Sequence, residues 1–144
     1  MARGRLTAGD VGCWLLKTSV LPDEIAPGWL PGTERTLQRC LRRSYRLDLM
    51  GAGQPVVLWV SGRRRPGIHA VGVLLTGPEA DSAPDGHATV TVSLRLLTER
   101  VPRQAFQASP HLAGAEVLRI AAGSNPSYLT ARQVAALRGR CGQG

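Results

Sequence analysis

Aromatic residues are scarce in this chain: three tryptophans, two tyrosines and one phenylalanine among 144 residues. Lysine is scarcer still, since Lys17 is the one lysine among 18 basic residues. Cys13, Cys40 and Cys141 are far apart, odd in number and without a C-x-x-C pair, which excludes a disulfide framework. His69, His87 and His111 are isolated from one another and from any cysteine at ligand spacing, so neither a metal site nor a cofactor is expected. No apolar run approaches the roughly 18 to 20 residues of a membrane-spanning helix. Residues 1–12 carry Arg3 and Arg5 but no apolar stretch followed by a small-residue cleavage site. A cytoplasmic protein without membrane contact is therefore expected. Enzyme signatures are missing too: there is no G-x-S-x-G elbow, no P-loop, no G-x-G-x-x-G after a strand, and the ten acids are scattered. The expectation is a protein that is not an enzyme.

What is present is enough apolar material for one core. At this length a folded chain buries roughly two-thirds of its unfolded surface, and 43% of the residues are hydrophobic. One domain over residues 11–139 is expected, with flexible ends at 1–10 and 140–144, as a monomer. The net charge of +8 favours a polyanionic partner such as nucleic acid. Part of that charge reflects a GC-rich coding sequence, because arginine replaces lysine almost throughout.

Along the chain, residues 11–20 are apolar at nearly every position and read as an interior strand. Residues 21–32 hold three prolines and two glycines and read as a loop carrying Trp29, a large aromatic that plugs something. Thr33 followed by Leu37, Cys40 and Leu41 suits a short capped helix, with a strand over residues 40–47 as the alternative. Residues 55–61 and 68–76 predict an antiparallel pair across a charged turn, with Gly72 at a close approach or bulge. Residues 89–96 alternate strictly and predict a strand with one wet face. Pro102 opens a short helix, residues 116–120 suggest a strand, and Thr130 with Gln133 forms a capping box with Leu129 and Val134 as its staple. The sum is a small α+β barrel. Buried in the first strand, Cys13 reads as a small hydrophobe rather than a nucleophile.

Two of the tryptophans, Trp14 and Trp59, sit at strand centres with Lys17, Thr18, Ser19 and Ser61 close by. Indoles beside hydroxyls and amides can fill a core, or wall a slot whose polar edge reads a base. Trp14 and Trp59 are expected to approach across the barrel beside a solvent-reachable pocket. The most basic stretches, Arg42, Arg43 and Arg46 and the run Arg63, Arg64 and Arg65, are the candidates for backbone phosphates; the other reading is a solvated face.

The order of four motifs resembles the EVE domain: W-L-L-K-T-S from Trp14, G-Q-P-V-V-L-W-V-S-G at 53–62, P-G-I-H-A-V-G at 66–72 and G-S-N-P-S-Y-L-T at 123–130. EVE domains are similar in plan to the PUA, ASCH and YTH domains. The resemblance implies a PUA-like barrel of five or six mostly antiparallel strands with two or three short flanking helices. It further implies a non-catalytic pocket for a flipped, modified base of DNA or RNA. Carried over by motif, Trp14, Lys17, Thr18 and Ser19 line its mouth, Trp59 and Ser61 face them, and Ser124, Asn125 and Pro126 close over it from a loop lying against the Trp14 strand. Two positions depart from the family pattern. Arg39 stands before Cys40 where many members carry an aromatic, leaving Trp29 or Tyr45 as substitute walls, and the acid usual after the lysine is absent. The competing class is an accessory module whose pocket takes a small molecule or a peptide. A pocket with aromatic walls and a polar edge favours the base; a dry aliphatic cavity favours the competitor.

Overall fold

The computed structural model describes residues 5–79, 87–120 and 126–141, with residues 140 and 141 described by their backbone alone. Six strands form one mixed sheet: β1 (Cys13–Thr18), β2 (Glu34–Arg42), β3 (Pro55–Val60), β4 (Gly67–Leu74), β5 (His87–Pro102) and β6 (Ser127–Leu129), in the spatial order β2-β5-β4-β3-β1-β6. β1 and β3 run parallel, and the other four pairings are antiparallel. The sheet curls into a barrel-like shape without closing. Short helices flank it: α1 (Pro22–Ile25), α2 (Arg103–Ala108), α3 (Glu116–Arg119) and α4 (Ala131–Cys141).

The sheet separates two apolar clusters. Trp14, Leu16, Val56, Leu58, Leu41, Val90, Val92 and Leu94 fill its concave side. Cys13, Leu15, Val57, Trp59 and Ile68 face outward and are covered by Phe106, Leu112, Val117 and Leu137 of the helical layer. β1 is therefore buried on both faces, as its unbroken apolar run requires. Gly72 sits where β4 meets β5, and a Cβ there would overlap the Ser93 carbonyl oxygen, so the close approach needs glycine.

Two expectations are corrected. Residues 34–42 are strand rather than capped helix: β2 pairs with β5 over its whole length, and Arg35, Leu37, Arg39 and Leu41 turn inward in alternation while Cys40 stays exposed. Leu37, Cys40 and Leu41 fit helical spacing equally well, but a nine-residue ladder outweighs one fortuitous i, i+3, i+4 set. The Thr33 hydroxyl donates to the Leu30 carbonyl instead of capping a helix (2.6 Å). Residues 116–119 form a helical turn, α3, rather than a strand. Ahead of β1 a 3-10 turn spans Ala8–Asp10, and the Leu6 amide donates to the Tyr45 hydroxyl at 2.7 Å.

Other elements form as read. β3 and β4 make an antiparallel hairpin. Pro102 caps α2. The Thr130 amide donates to Gln133 Oε1 (2.9 Å) and the Gln133 amide to Thr130 Oγ1 (3.2 Å), so the capping box opens α4.

Candidate functional site

The hairpin partners β4 and β5 fall out of step at one place. Ile68 pairs with Val101 and Ala70 with Leu96, so one residue of β4, His69, faces four of β5, Leu97, Thr98, Glu99 and Arg100. On the other side of β4 the same point is a bulge, with Trp59 paired to Ile68 and Leu58 to Ala70. His69 is thus unpaired in both ladders, and the surplus of β5 loops outward. Bulges re-aim side chains at sheet rims, and this one opens a cavity of about 650 Å³.

Its floor and walls are Trp29, Leu96 and His69; its rim carries Asp23 from α1, Arg65 from the β3–β4 turn, and Thr98, Glu99 and Arg100 from the looped part of β5. Trp29 is held by its own polar edge, because its indole N–H donates to the Thr33 carbonyl at 2.9 Å while the ring packs on the concave core. His69 is buried, with Nε2 2.7 Å from the Arg65 carbonyl oxygen. Burial, together with the Arg100 and Arg65 cations, holds its pKa below the usual histidine value, partly opposed by that hydrogen bond. Arg65 itself has φ of 47°, the one positive φ of a non-glycine residue among those described. The rim is tied across by Arg64, which pairs with Glu24 of α1 at 2.9 Å; both side chains are exposed.

The expected tryptophan slot does not form. In the parallel register Trp14 stands beside Val56 and Lys17 beside Trp59, so alternation sends the two indoles to opposite faces of the sheet. Trp14 is wholly buried in the concave core, where its N–H donates to Gln54 Oε1 at 2.8 Å. Trp59 lies under α2, edge-on to Phe106 with ring centroids 5.0 Å apart, and with Ser61 it borders a smaller cavity of about 180 Å³ that Arg103 and Gln107 share. Thr18 is buried, its Oγ1 accepting from the Val20 amide and its carbonyl from the Ser61 amide; Ser19 is exposed.

A second group of expected residues gathers around Glu116. Arg46 makes a bidentate pair with it at 2.8 and 2.7 Å, the Ser127 hydroxyl donates to it at 2.6 Å, and Arg46 also donates to the Pro126 carbonyl at 3.0 Å. The Arg46 hydrogen bonds hold the Glu116 carboxyl below the usual carboxylate range. Lys17 faces this pair, and its pKa is lowered first by burial. Arg46 is therefore an internal tie rather than a phosphate contact, which corrects that expectation. Tyr45 packs beside it, with Arg5 over its ring at 4.3 Å. Ser124 and Asn125 lie outside the described residues; Ser127 and Tyr128 do lie against β1, paired with Leu15 and Trp14.

Of the expected phosphate contacts, Arg65 lines the cavity, Arg64 ties its rim and Arg63 is exposed beside them. Arg42 and Arg43 are exposed at the other end of the barrel: Glu34 pairs with Arg95 near the cavity, whereas Arg42 pairs with His87, roughly 25 Å along the strand. The residues that build the cavity were mostly not legible as site residues. Trp29 gave a signal as an aromatic in a loop of prolines and glycines, Arg65 as part of a basic run, and His69 only as a member of the P-G-I-H-A-V-G motif; Asp23 and Glu99 gave none, because a bulge of unequal strand lengths leaves no mark on periodicity.

Cys13 shows no reactive character: burial pushes its thiol up to about 12. No helix among the described residues is long and apolar enough to cross a membrane.

No protein-family model matches the chain, and no curated protein matches it in sequence. Solved structures do match. A hypothetical protein from Leishmania major aligns with a TM-score of 0.68 and 14% identity over 94% of this chain and 98% of that one. A protein from Rhodopseudomonas palustris gives 0.68 and 16% over 92% and 94%. The human THYN1 protein, solved in complex with 5-methylcytosine containing DNA, gives 0.58 and 15% over 88% and 95%. The fold is the α+β, PUA-like fold of THYN1, with a sheet of six strands.

Proposed function

We propose that this chain is a non-catalytic EVE-type module that binds DNA or RNA and accepts a modified base in the Trp29 cavity. The carrying observation is that cavity: an aromatic wall, a buried histidine and a rim of alternating acids and arginines, opened by a bulge that unpairs His69 on both sides. Its volume falls in the range of small-ligand pockets. An indole supplies stacking for a flat π system, the polar rim supplies edge recognition, and Arg63 and Arg65 stand where a flanking phosphate would pass. The site differs from the one the motifs alone suggested, since Trp29 takes the wall that Trp14 and Trp59 were expected to make. A relative in fold bound to methylated DNA supports the nucleic-acid class, and the free thiols of Cys13 and Cys40 suit a reducing cytoplasm. The mixed lining of this cavity favours a base; a second cavity of about 390 Å³, walled mainly by Val56, Val57, Val71 and Leu137, is the place where the small-molecule or peptide reading would have to be sought.

The test is fluorescence anisotropy with labelled DNA and RNA oligonucleotides that differ at one central base, modified or plain. Preference for one modified base over its parent by about tenfold or more is the expected result. Equal, weak binding to every oligonucleotide would leave only a basic surface, and the proposal would fall.

A further inference from the structure

The Trp29 cavity holds one residue whose chemistry is set before any ligand arrives. His69 Nε2 lies 2.7 Å from the Arg65 carbonyl oxygen. A carbonyl oxygen only accepts, so Nε2 carries the hydrogen. In a neutral imidazole the second nitrogen, Nδ1, is then an acceptor with no proton to give. Every buried polar side-chain atom among the described residues has its partner, so Nδ1, which none of those residues is seen to bond, is reached by solvent. The ring lines the cavity.

Resting on the reading of this cavity as a base pocket, we infer that His69 is its specificity-determining residue: its Nδ1 lone pair selects a base that presents an exocyclic amino N–H to it and rejects the base with an oxygen at that exocyclic position. The fold pins the ring for this task. His69 is the one β4 residue left unpaired by both neighbours, and Arg65, whose carbonyl fixes the ring, is held in a left-handed conformation that few side chains adopt. The other groups around the ring are mixed, with Arg65 and Arg100 as donors beside the acceptors Asp23 and Glu99, so the ring nitrogen and not the rim makes the choice. Asp23 from α1 and Glu99 from β5 add acceptors at the rim, and the Arg65 and Arg100 cations disfavour a protonated ring that would offer a donor instead. A base with an amino group at the contact gains a hydrogen bond. A base with a carbonyl there sets two acceptors against each other.

Pairs that exchange an exocyclic amino for an oxo group, and with it turn the neighbouring ring nitrogen from acceptor to N–H, test this: 5-methylcytosine against thymine, and adenine against hypoxanthine, each at one position of an otherwise constant single-stranded DNA, with N3-methylthymine and N1-methylhypoxanthine as controls that lack the ring N–H, and the matching RNA set. Wild-type protein should bind the amino member about tenfold or more tighter in whichever pair it binds. His69→Gln can keep a donor to the Arg65 carbonyl but moves its acceptor, Oε1, off the Nδ1 position, and His69→Phe lacks both. Both variants should bring the pair to within about threefold, mainly by weakening the amino member, while His69→Gln keeps the wild-type melting temperature. Discrimination that survives in a folded His69→Gln protein overturns the inference, as does wild-type preference for the oxo member. Failure of the wild type to bind any oligonucleotide instead overturns the base-pocket reading on which it rests.

Discussion

At the residue scale the structure turns on how buried polar groups are satisfied. Gln54 is the clearest case. Its Oε1 accepts from the Trp14 indole and from the Gly51 amide, both at 2.8 Å, and its Nε2 donates to the Leu49 carbonyl at 3.1 Å. One side chain thus ties the core tryptophan to the turn before β3. Gln54→Ala orphans two donors and an acceptor, so urea unfolding should register a loss of about 2 kcal/mol or more. An unchanged midpoint would mean that water replaces the amide without cost. Glu116 makes a parallel prediction for pH. Its carboxyl is held down in the folded protein mainly by Arg46, so it contributes stability that is present above the unfolded carboxylate value, about 4.3, and lost as pH falls through the lower folded value. Glu116→Gln should unfold earlier at pH 7 and lose less than wild type between pH 5 and pH 3. These partnerships could not be read from the chain, because they join residues 40 and 70 positions apart. What could be read was the type of each residue and the need for a partner, not who the partner is.

At the scale of elements, local chemistry was legible wherever it sufficed. The Thr130–Gln133 box opens α4, Pro102 starts α2, and the alternation of residues 89–96 sits inside β5. Where two periods fit the same residues the sequence misled, as in β2, and pairing with β5 decided the outcome. The tryptophans show the limit most plainly. Trp14 and Trp59 both lie in strands as expected, though near the strand ends rather than the centres, and the face each occupies depends on the β1–β3 register, which a single sequence does not specify. Gly72 gives a prediction at this scale. A methyl group there meets the Ser93 carbonyl, and backbone cannot step aside as a flexible side chain can. Gly72→Ala should therefore cost about 3 kcal/mol or more in thermal unfolding, the range of overpacked backbone sites. A variant as stable as wild type would show that β4 and β5 have room to part.

At the scale of the whole molecule the arginines expected to contact phosphate fall into two regions. Arg63 and Arg65 stand by the cavity, while Arg42 and Arg43 lie roughly 25 Å away along β2 and β5. Replacing Arg63 and Arg65 by alanine should flatten the salt dependence of oligonucleotide affinity by about one unit for each phosphate that is no longer neutralised. The Arg42→Ala, Arg43→Ala pair should leave the slope near wild type if the strand passes the cavity alone. A slope that responds to both pairs alike would instead describe a diffuse basic surface with no preferred path.

The central claim is that a base enters the Trp29 cavity, and blocking the cavity without harming the fold tests it most directly. Thr98 lies exposed on the rim, on the looped part of β5, with its side chain against the cavity rather than in the core. Thr98→Trp places a large ring across the opening. Affinity for the modified-base oligonucleotide that the wild type prefers would be measured beside the melting temperature. The account predicts binding weakened by at least about tenfold, with preference over the parent base abolished and melting unchanged. Undiminished affinity and preference in the folded, blocked protein would contradict it.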